Sequence, residues 1–329
     1  MRFLSWLLVW TLLLPLAACA AQKPASAEGF AFDTILRVSI YGASGEADPE
    51  SLAQGALRVA DELEPLLSAQ RSGAEIKEAN ERREGVLSEE TAALLRDALR
   101  LCDESDGAFD PRLGALSALW DFKAALPSLP EQLQIETLLQ EAQSAKIDLT
   151  GMRLTLGGES MKIDLGGIAK GYAADKMRAW LLEHGASSAL LDLGGSIATI
   201  GKRPGGGPWR IAVASPFASG EIAGVLSVEE GFVSTSSGAQ RGFTLESKRY
   251  HHILDPKTGW PAQSGLASVT VIAQNGVLAD ALSTAFFVLG EERSLELLRE
   301  RFAGAELLFI REDGSVFCTK EGLFAEAKG

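Results

Sequence analysis

Histidine is scarce in this chain: three residues in 329, at 184, 251 and 252, too few for a multi-histidine metal site. Cysteine is equally rare, with three residues and no CxxC pair, so neither a disulfide scaffold nor a zinc ligand set is present. The longest apolar stretch is short, from Phe3 to Leu16. The HExxH, GxSxG, GxGxxG and GxxxxGK[ST] signatures all fail: Gly194-Gly195-Ser196-Ile197-Ala198 lacks the closing glycine, and Gly195 to Lys202 has the wrong spacing. An excess of positive charge is missing too. With 31 Lys+Arg against 44 Asp+Glu the net charge is -13, which repels phosphate backbones and argues against a nucleic-acid partner. The same sign sets a constraint. A phosphorylated ligand needs local positive charge, from a metal or from aimed backbone N–H groups.

What remains is a chain that folds around cores, 46% apolar and 23% charged. Met1-Arg2 is a positive start. The apolar run that follows makes about 21 Å of helix, short of a hydrocarbon core of about 30 Å. It reads as the core of a signal peptide over 1–18. Leu16-Ala17-Ala18-Cys19 resembles a bacterial lipobox, with cleavage before Cys19 and lipid on its thiol; the alternative is an ordinary secretory signal with a chance cysteine. Ala20 resembles the signal that sorts to the outer rather than the inner membrane. Residues 19–28, small and with Pro24, read as a lipidated tether, and 29–329 as the folded domain. Cys102 and Cys318 are expected to be buried singly rather than bridged.

Alternation predicts a strand over Thr34–Tyr41. Helical spacing predicts helices over 52–67, 89–106 and 131–145. From Ile147 the texture changes to short strands at 147–149, 153–156, 161–165, 189–193, 196–200, 209–214, 224–228, 232–236 and 268–273. Helices are expected at 168–184, 277–289 and 292–302, and Asp313-Gly314 as a hairpin turn between the last two strands. This is neither a βαβ alternation nor an all-β pattern. It predicts an α+β fold with a mixed, largely antiparallel sheet and packed helices, as one compact unit or one of two lobes.

Three segments carry chemistry. In Asp164-Leu165-Gly166-Gly167-Ile168-Ala169-Lys170-Gly171 a strand ends, glycines turn the chain and a helix begins, with Lys170 in its first turn. A helix N-terminus of that kind suits a diphosphate, or the glycines serve a tight turn alone. In His252-Ile253-Leu254-Asp255-Pro256-Lys257-Thr258-Gly259 the turn chemistry fixes His252 at a strand end, where an imidazole can act as a base near neutral pH or simply sit at the surface. In Ala279-Asp280-Ala281-Leu282-Ser283-Thr284 the oxygens of Asp280 and Thr284 share one helix face, as ligands for a hard cation or as helix-start packing.

In this order the segments resemble the ApbE family of FAD:protein FMN transferases, over about residues 30 to 312. Asp106-Gly107-Ala108-Phe109-Asp110-Pro111 adds to the likeness. The resemblance implies that Asp280, Thr284 and the Gly167 carbonyl hold Mg²⁺. It implies that Ala108, Phe109, Asp110, Asp164 and Lys170 contact FAD, and that His252 lies on the acceptor side. Sequence proximity alone makes Asp255 a candidate to orient His252. Phe32 takes the place of a flavin-contacting Met. Gln70 stands where the family has a stacking Tyr. Ser237-Gly238-Ala239-Gln240-Arg241 departs from the usual Gly-Asp-Tyr-Glu-Arg. The implied activity is Mg²⁺-dependent transfer of FMN from FAD to a threonine of an acceptor protein, with AMP released. The acceptor could be a subunit of a respiratory membrane complex. An FAD pyrophosphatase giving FMN and AMP is the nearer alternative, and a non-catalytic flavin-binding lipoprotein the other. The implied location is the bacterial periplasm, anchored to a membrane by the lipid.

Overall fold

The structure, a computed structural model, describes residues 23–327. In chain order the elements are β1 (Ala25–Ala31), β2 (Thr34–Ala43), α1 (Pro49–Leu67), α2 (Glu75–Arg82), β3 (Glu84–Val86), α3 (Glu89–Glu104), α4 (Gly114–Trp120) and α5 (Gln132–Ser144). There follow β4 (Ile147–Thr150), β5 (Arg153–Leu156), α6 (Ala169–Glu183), β6 (Ala186–Leu193), β7 (Ser196–Ile200), β8 (Trp209–Ala214), β9 (Ile222–Val228) and β10 (Phe232–Ser237). The chain closes with β11 (Gly242–Leu245), β12 (Lys248–His251), β13 (Leu266–Ala273), α7 (Gly276–Leu289), α8 (Glu291–Arg301), β14 (Glu306–Arg311), β15 (Val316–Cys318) and β16 (Phe324–Glu326). The signal segment and Cys19 lie outside the described residues. Among those described, no helix is long and apolar enough to cross a membrane.

Eight strands form the main sheet in the order β1-β2-β6-β7-β10-β13-β14-β15, and every pair within it is antiparallel. Helices α1, α6 and α7 cover one face. The small sheet β16-β9-β8 covers the other, through Trp209, Ile211, Val213 and Leu226 packed with Val233, Leu308 and Ile310. Strand β14 shows why this needs a continuous apolar run: Leu307 and Phe309 face the helices, Leu308 and Ile310 the small sheet. A satellite cluster around Trp120 joins α4 and α5 to the β11–β12 hairpin, with the Trp120 indole N–H donating to the Gly259 carbonyl at 2.9 Å. The expected α+β fold with largely antiparallel sheet is what the chain adopts. Cys102 and Cys318 are unpaired, and burial pushes the Cys102 thiol up to about 12.

Two expectations are corrected. Residues 161–165 do not form a sheet strand; they make one isolated bridge, Leu113 to Lys162. Their backbone groups are taken elsewhere: the Asn80 side chain binds both the N–H and the carbonyl of Ile163, at 2.7 and 2.8 Å, and the Asp164 N–H donates to the Pro111 carbonyl. The stretch read as tether is also shorter than expected, because β1 begins at Ala25. Its small residues look like linker, but Ala27 and Ala31 alternate inward beneath α1. Helices α2 and α4, with the β11–β12 hairpin and β16, are short elements that the sequence periodicity did not expose.

Helices α6 and α7 cross where Gly171 meets Gly276. A Cβ on Gly171 would sit 2.0 Å from the Gly276 carbonyl oxygen, so only glycine fits. The Asp175 carboxylate caps the start of α7, accepting from the Gly276 and Val277 N–H groups at 2.8 and 3.0 Å. Burial pushes its pKa up, against those two donors. Gly171→Ala should therefore lower stability by about 1–3 kcal/mol in chemical denaturation, although alanine is the better helix former. An unchanged or raised denaturation midpoint would contradict the close crossing.

Candidate active site

The crossing of α6 and α7 seats a carboxylate. Asp280, one turn into α7 and 3% exposed, is held on Oδ1 by the hydroxyls of Ser196 at 3.1 Å and Ser234 at 2.9 Å. Its Oδ2 accepts the Gly171 N–H at 2.9 Å. The Lys170 ammonium lies 3.4 and 3.5 Å from the two oxygens. A carboxylate offers about four lone-pair directions, so three neutral donors leave about one for a cation. One N–H of the first turn of α6, expected to face a diphosphate, is thus already given to Asp280. A negative group there is favourable to the helix dipole.

Thr284 follows Asp280 by one turn on the same face. Its hydroxyl is 3.3 Å from that of Ser236, which is 2.8 Å from that of Ser283. The Gly167 turn reaches the same place: a Cβ on Gly167 would lie 3.6 Å from Thr284 Oγ1 and 3.0 Å from the Phe109 ring. Gly167, Lys170, Asp280 and Thr284 are therefore gathered at the start of α6. A carboxylate, a hydroxyl and a nearby backbone turn form an all-oxygen donor set, which suits a small hard cation such as Mg²⁺. Among the described residues no group of three or more His, Cys, Asp and Glu is placed to hold a metal ion.

Asp164 stands at the near end of this turn, its Oδ1 accepting the Gly166 N–H at 2.8 Å. Ala108 and Phe109 are buried against it rather than open to solvent. Asp110 turns inward onto Arg112, which donates from Nε and Nη2 at 2.8 and 2.7 Å.

On the other side, the His252 N–H donates to the Arg241 carbonyl at 3.2 Å and the ring Nδ1 lies 3.3 Å from the same oxygen. A carbonyl only accepts, so Nδ1 carries the proton and the lone pair is on Nε2. Burial, then the charge on Arg241, lowers the His252 pKa to about 4, with Lys170 contributing. Asp255 does not orient this ring. Its Oδ1 accepts the Lys257 N–H at 2.8 Å inside its own turn, and the Arg241 carbonyl takes the orienting role.

Phe32 and Asp33 form the tip of the β1–β2 hairpin, both with positive φ, at 51° and 64°. The tip is tied down from three sides: the Phe32 N–H donates to Glu64 at 2.8 Å, Arg241 pairs with Asp33 at 3.4 Å, and Lys123 also pairs with Asp33. Gln70 is exposed, its N–H donating to the Ser68 hydroxyl at 3.2 Å. Its neighbour Arg71 binds Glu64, the residue that holds the tip, at 2.8 Å. Sequence reading missed Asn80, Ser196, Ser234 and Arg241 as site builders. For Ser196 the available signal was a polar residue in the largely apolar β7, whereas Ser234 sits among the polar residues of β10 and does not stand out. Burial lowers the His252 pKa to about 4, so the neutral ring is the form expected near neutral pH. Following its ring-proton NMR shift with pH should give a midpoint near 4, and a midpoint near 6.5 would contradict the burial.

The sequence pattern of the ApbE family matches residues 32–309. A protein named FAD:protein FMN transferase from Treponema pallidum is 34% identical over 302 residues, covering 86% of this chain and 83% of its own. One of the same name from Klebsiella pneumoniae is 33% identical, covering 77% and 80%. The crystal structure of the ApbE protein of Thermotoga maritima superposes with a TM-score of 0.82 at 32% identity, covering 91% of this chain and 97% of that one. The flavinyl transferase ApbE of Pseudomonas stutzeri does so with 0.79 at 29% identity. With the family pattern spanning most of its length and the fold shared, this chain belongs to the ApbE family.

Proposed function

We propose that the chain transfers the FMN part of FAD to a threonine hydroxyl of an acceptor protein and releases AMP, with Mg²⁺ required. The observation that carries this reading is the convergence of Lys170, Asp280, Thr284 and the Gly167 turn on one spot in a chain of net charge -13. The names of the relatives, FAD:protein FMN transferases, support it. A diphosphate cannot approach this protein without local positive charge, and Lys170 supplies part of it. Asp280, Thr284 and the Gly167 carbonyl would hold Mg²⁺, which supplies Lewis-acid polarisation of a phosphoryl oxygen when bound.

The remaining work falls to His252. The threonine oxygen bonds to the FMN-side phosphorus, and the bond from that phosphorus to the bridging oxygen breaks. The bridging oxygen leaves with AMP. The threonine proton passes to His252 Nε2, whose lone pair is set free because Nδ1 is engaged by Arg241. Charge balances without redox change. In the same reading Cys19 carries lipid that keeps the enzyme at a periplasmic membrane surface, where membrane-bound acceptor proteins are in reach. Radiolabelled palmitate incorporated by the wild type and lost in Cys19→Ala tests that anchor.

Incubation with FAD, Mg²⁺ and a threonine-bearing peptide should add the mass of FMN to the peptide. Free FMN with AMP and an unmodified peptide would identify a hydrolase instead, and intact FAD a binder. His252→Gln should slow transfer by about 10²–10⁴-fold, the usual share of a general base, and leave FAD affinity nearly unchanged. Equal loss of both would remove the base role.

A further inference from the structure

A groove of about 560 Å³ is lined by β12 and residues 260–267, with Lys248, Arg249, His251 and Glu312 among its lining. It lies one residue from the proposed base. The His251 ring points to the Ala262 carbonyl, at 3.0 Å, and edge-on to Phe287, while the next ring, His252, turns to Arg241. A strap of chain, residues 237–241, touches both: Gly238 and Ala239 line the groove, and the Arg241 carbonyl meets the His252 ring. Arg249 holds that strap, donating to the Gly238 and Ala239 carbonyls at 2.8 and 2.9 Å.

The charge in the groove is unlike that at the hairpin tip. There Lys123 and Arg241 both sit on Asp33. In the groove, Lys248 lies over the Tyr250 ring, 5.3 Å from its centre, and Arg249 is spent on neutral carbonyls. Neither is paired with a carboxylate among the described residues, and Glu312 is the one acidic side chain in the lining. Two uncompensated cations in a chain of net charge -13 form a local field that attracts an acidic segment and repels a basic one. An extended segment advances about 3.3 Å per residue, so one lying in the groove reaches His252 past the strap within a few residues.

We propose that this groove docks an acidic stretch of the acceptor protein and so selects which threonine is presented to His252. The proposal rests on the transferase reading for the identity of its occupant. It deepens that reading by naming the charge of the partner.

The test uses the full chain with FAD and Mg²⁺ and two fluorescent peptides, one threonine flanked by aspartates and the same threonine flanked by lysines. By anisotropy the aspartate peptide should bind about tenfold tighter or more, and added salt should weaken it. Lys248→Glu, an exposed substitution at the end of a hairpin strand, should reverse that order with FAD affinity unchanged. Equal affinity for the two peptides, or insensitivity to Lys248→Glu, overturns the groove. FMN transfer is read separately: charge-selective binding without transfer leaves the groove standing and removes the transferase, and transfer with charge-blind binding does the reverse.

Discussion

The site depends on one buried carboxylate. An ionised Asp280 removed from water is costly unless its oxygens are met by donors, and the fold meets them from three directions. Strand β7 brings Ser196, strand β10 brings Ser234, and the start of α6 brings the Gly171 N–H with Lys170 above it. That arrangement is possible only because α6 and α7 approach to glycine-on-glycine distance. The three-layer architecture is in this sense a support for a single negative charge, with the helix layer and the sheet each contributing donors.

Around it, constraints fall in sequence. Asn80 clamps Ile163 and so places the Asp164–Gly167 turn. Asp175 fixes the start of α7 and so places Asp280 along its helix. Arg241 reaches in two directions, its guanidinium to the hairpin tip at Asp33 and its carbonyl to His252. The Lys170–Asp280 side and the His252 side are therefore built on different elements. An acidic surface disfavours anions generally, and in the proposed function the local charge at Lys170 provides the exception.

Much of this was legible in the sequence because the fold signals are local. Alternation marked β2, and helical spacing marked α1 and α3, since each buries one face against the same core. The linear motifs located Asp164, Lys170, His252, Asp280 and Thr284, because turn glycines and helix starts leave a pattern within a few residues. What stayed hidden is long-range. Ser196 and Ser234 meet Asp280 across 84 and 46 residues, and Asn80 meets Ile163 across 83. Residues 161–165 alternate like a strand, yet their backbone is claimed by a side chain and a loop, which periodicity cannot show. Asp255 looked like the partner of His252 by proximity alone, whereas its turn consumes it. Ala25 to Glu28 looked like a tether because small residues serve both linkers and close-packed edge strands.

The proposed function requires that Asp280, through the cation it would hold, lets an anionic protein accept a diphosphate. The direct measurement is FAD affinity by titration calorimetry, with and without Mg²⁺, in the wild type and in Asp280→Asn. Mg²⁺ should tighten FAD binding by about tenfold or more in the wild type, about 1.4 kcal/mol, and leave the variant unchanged. The same gain in both proteins would contradict the account.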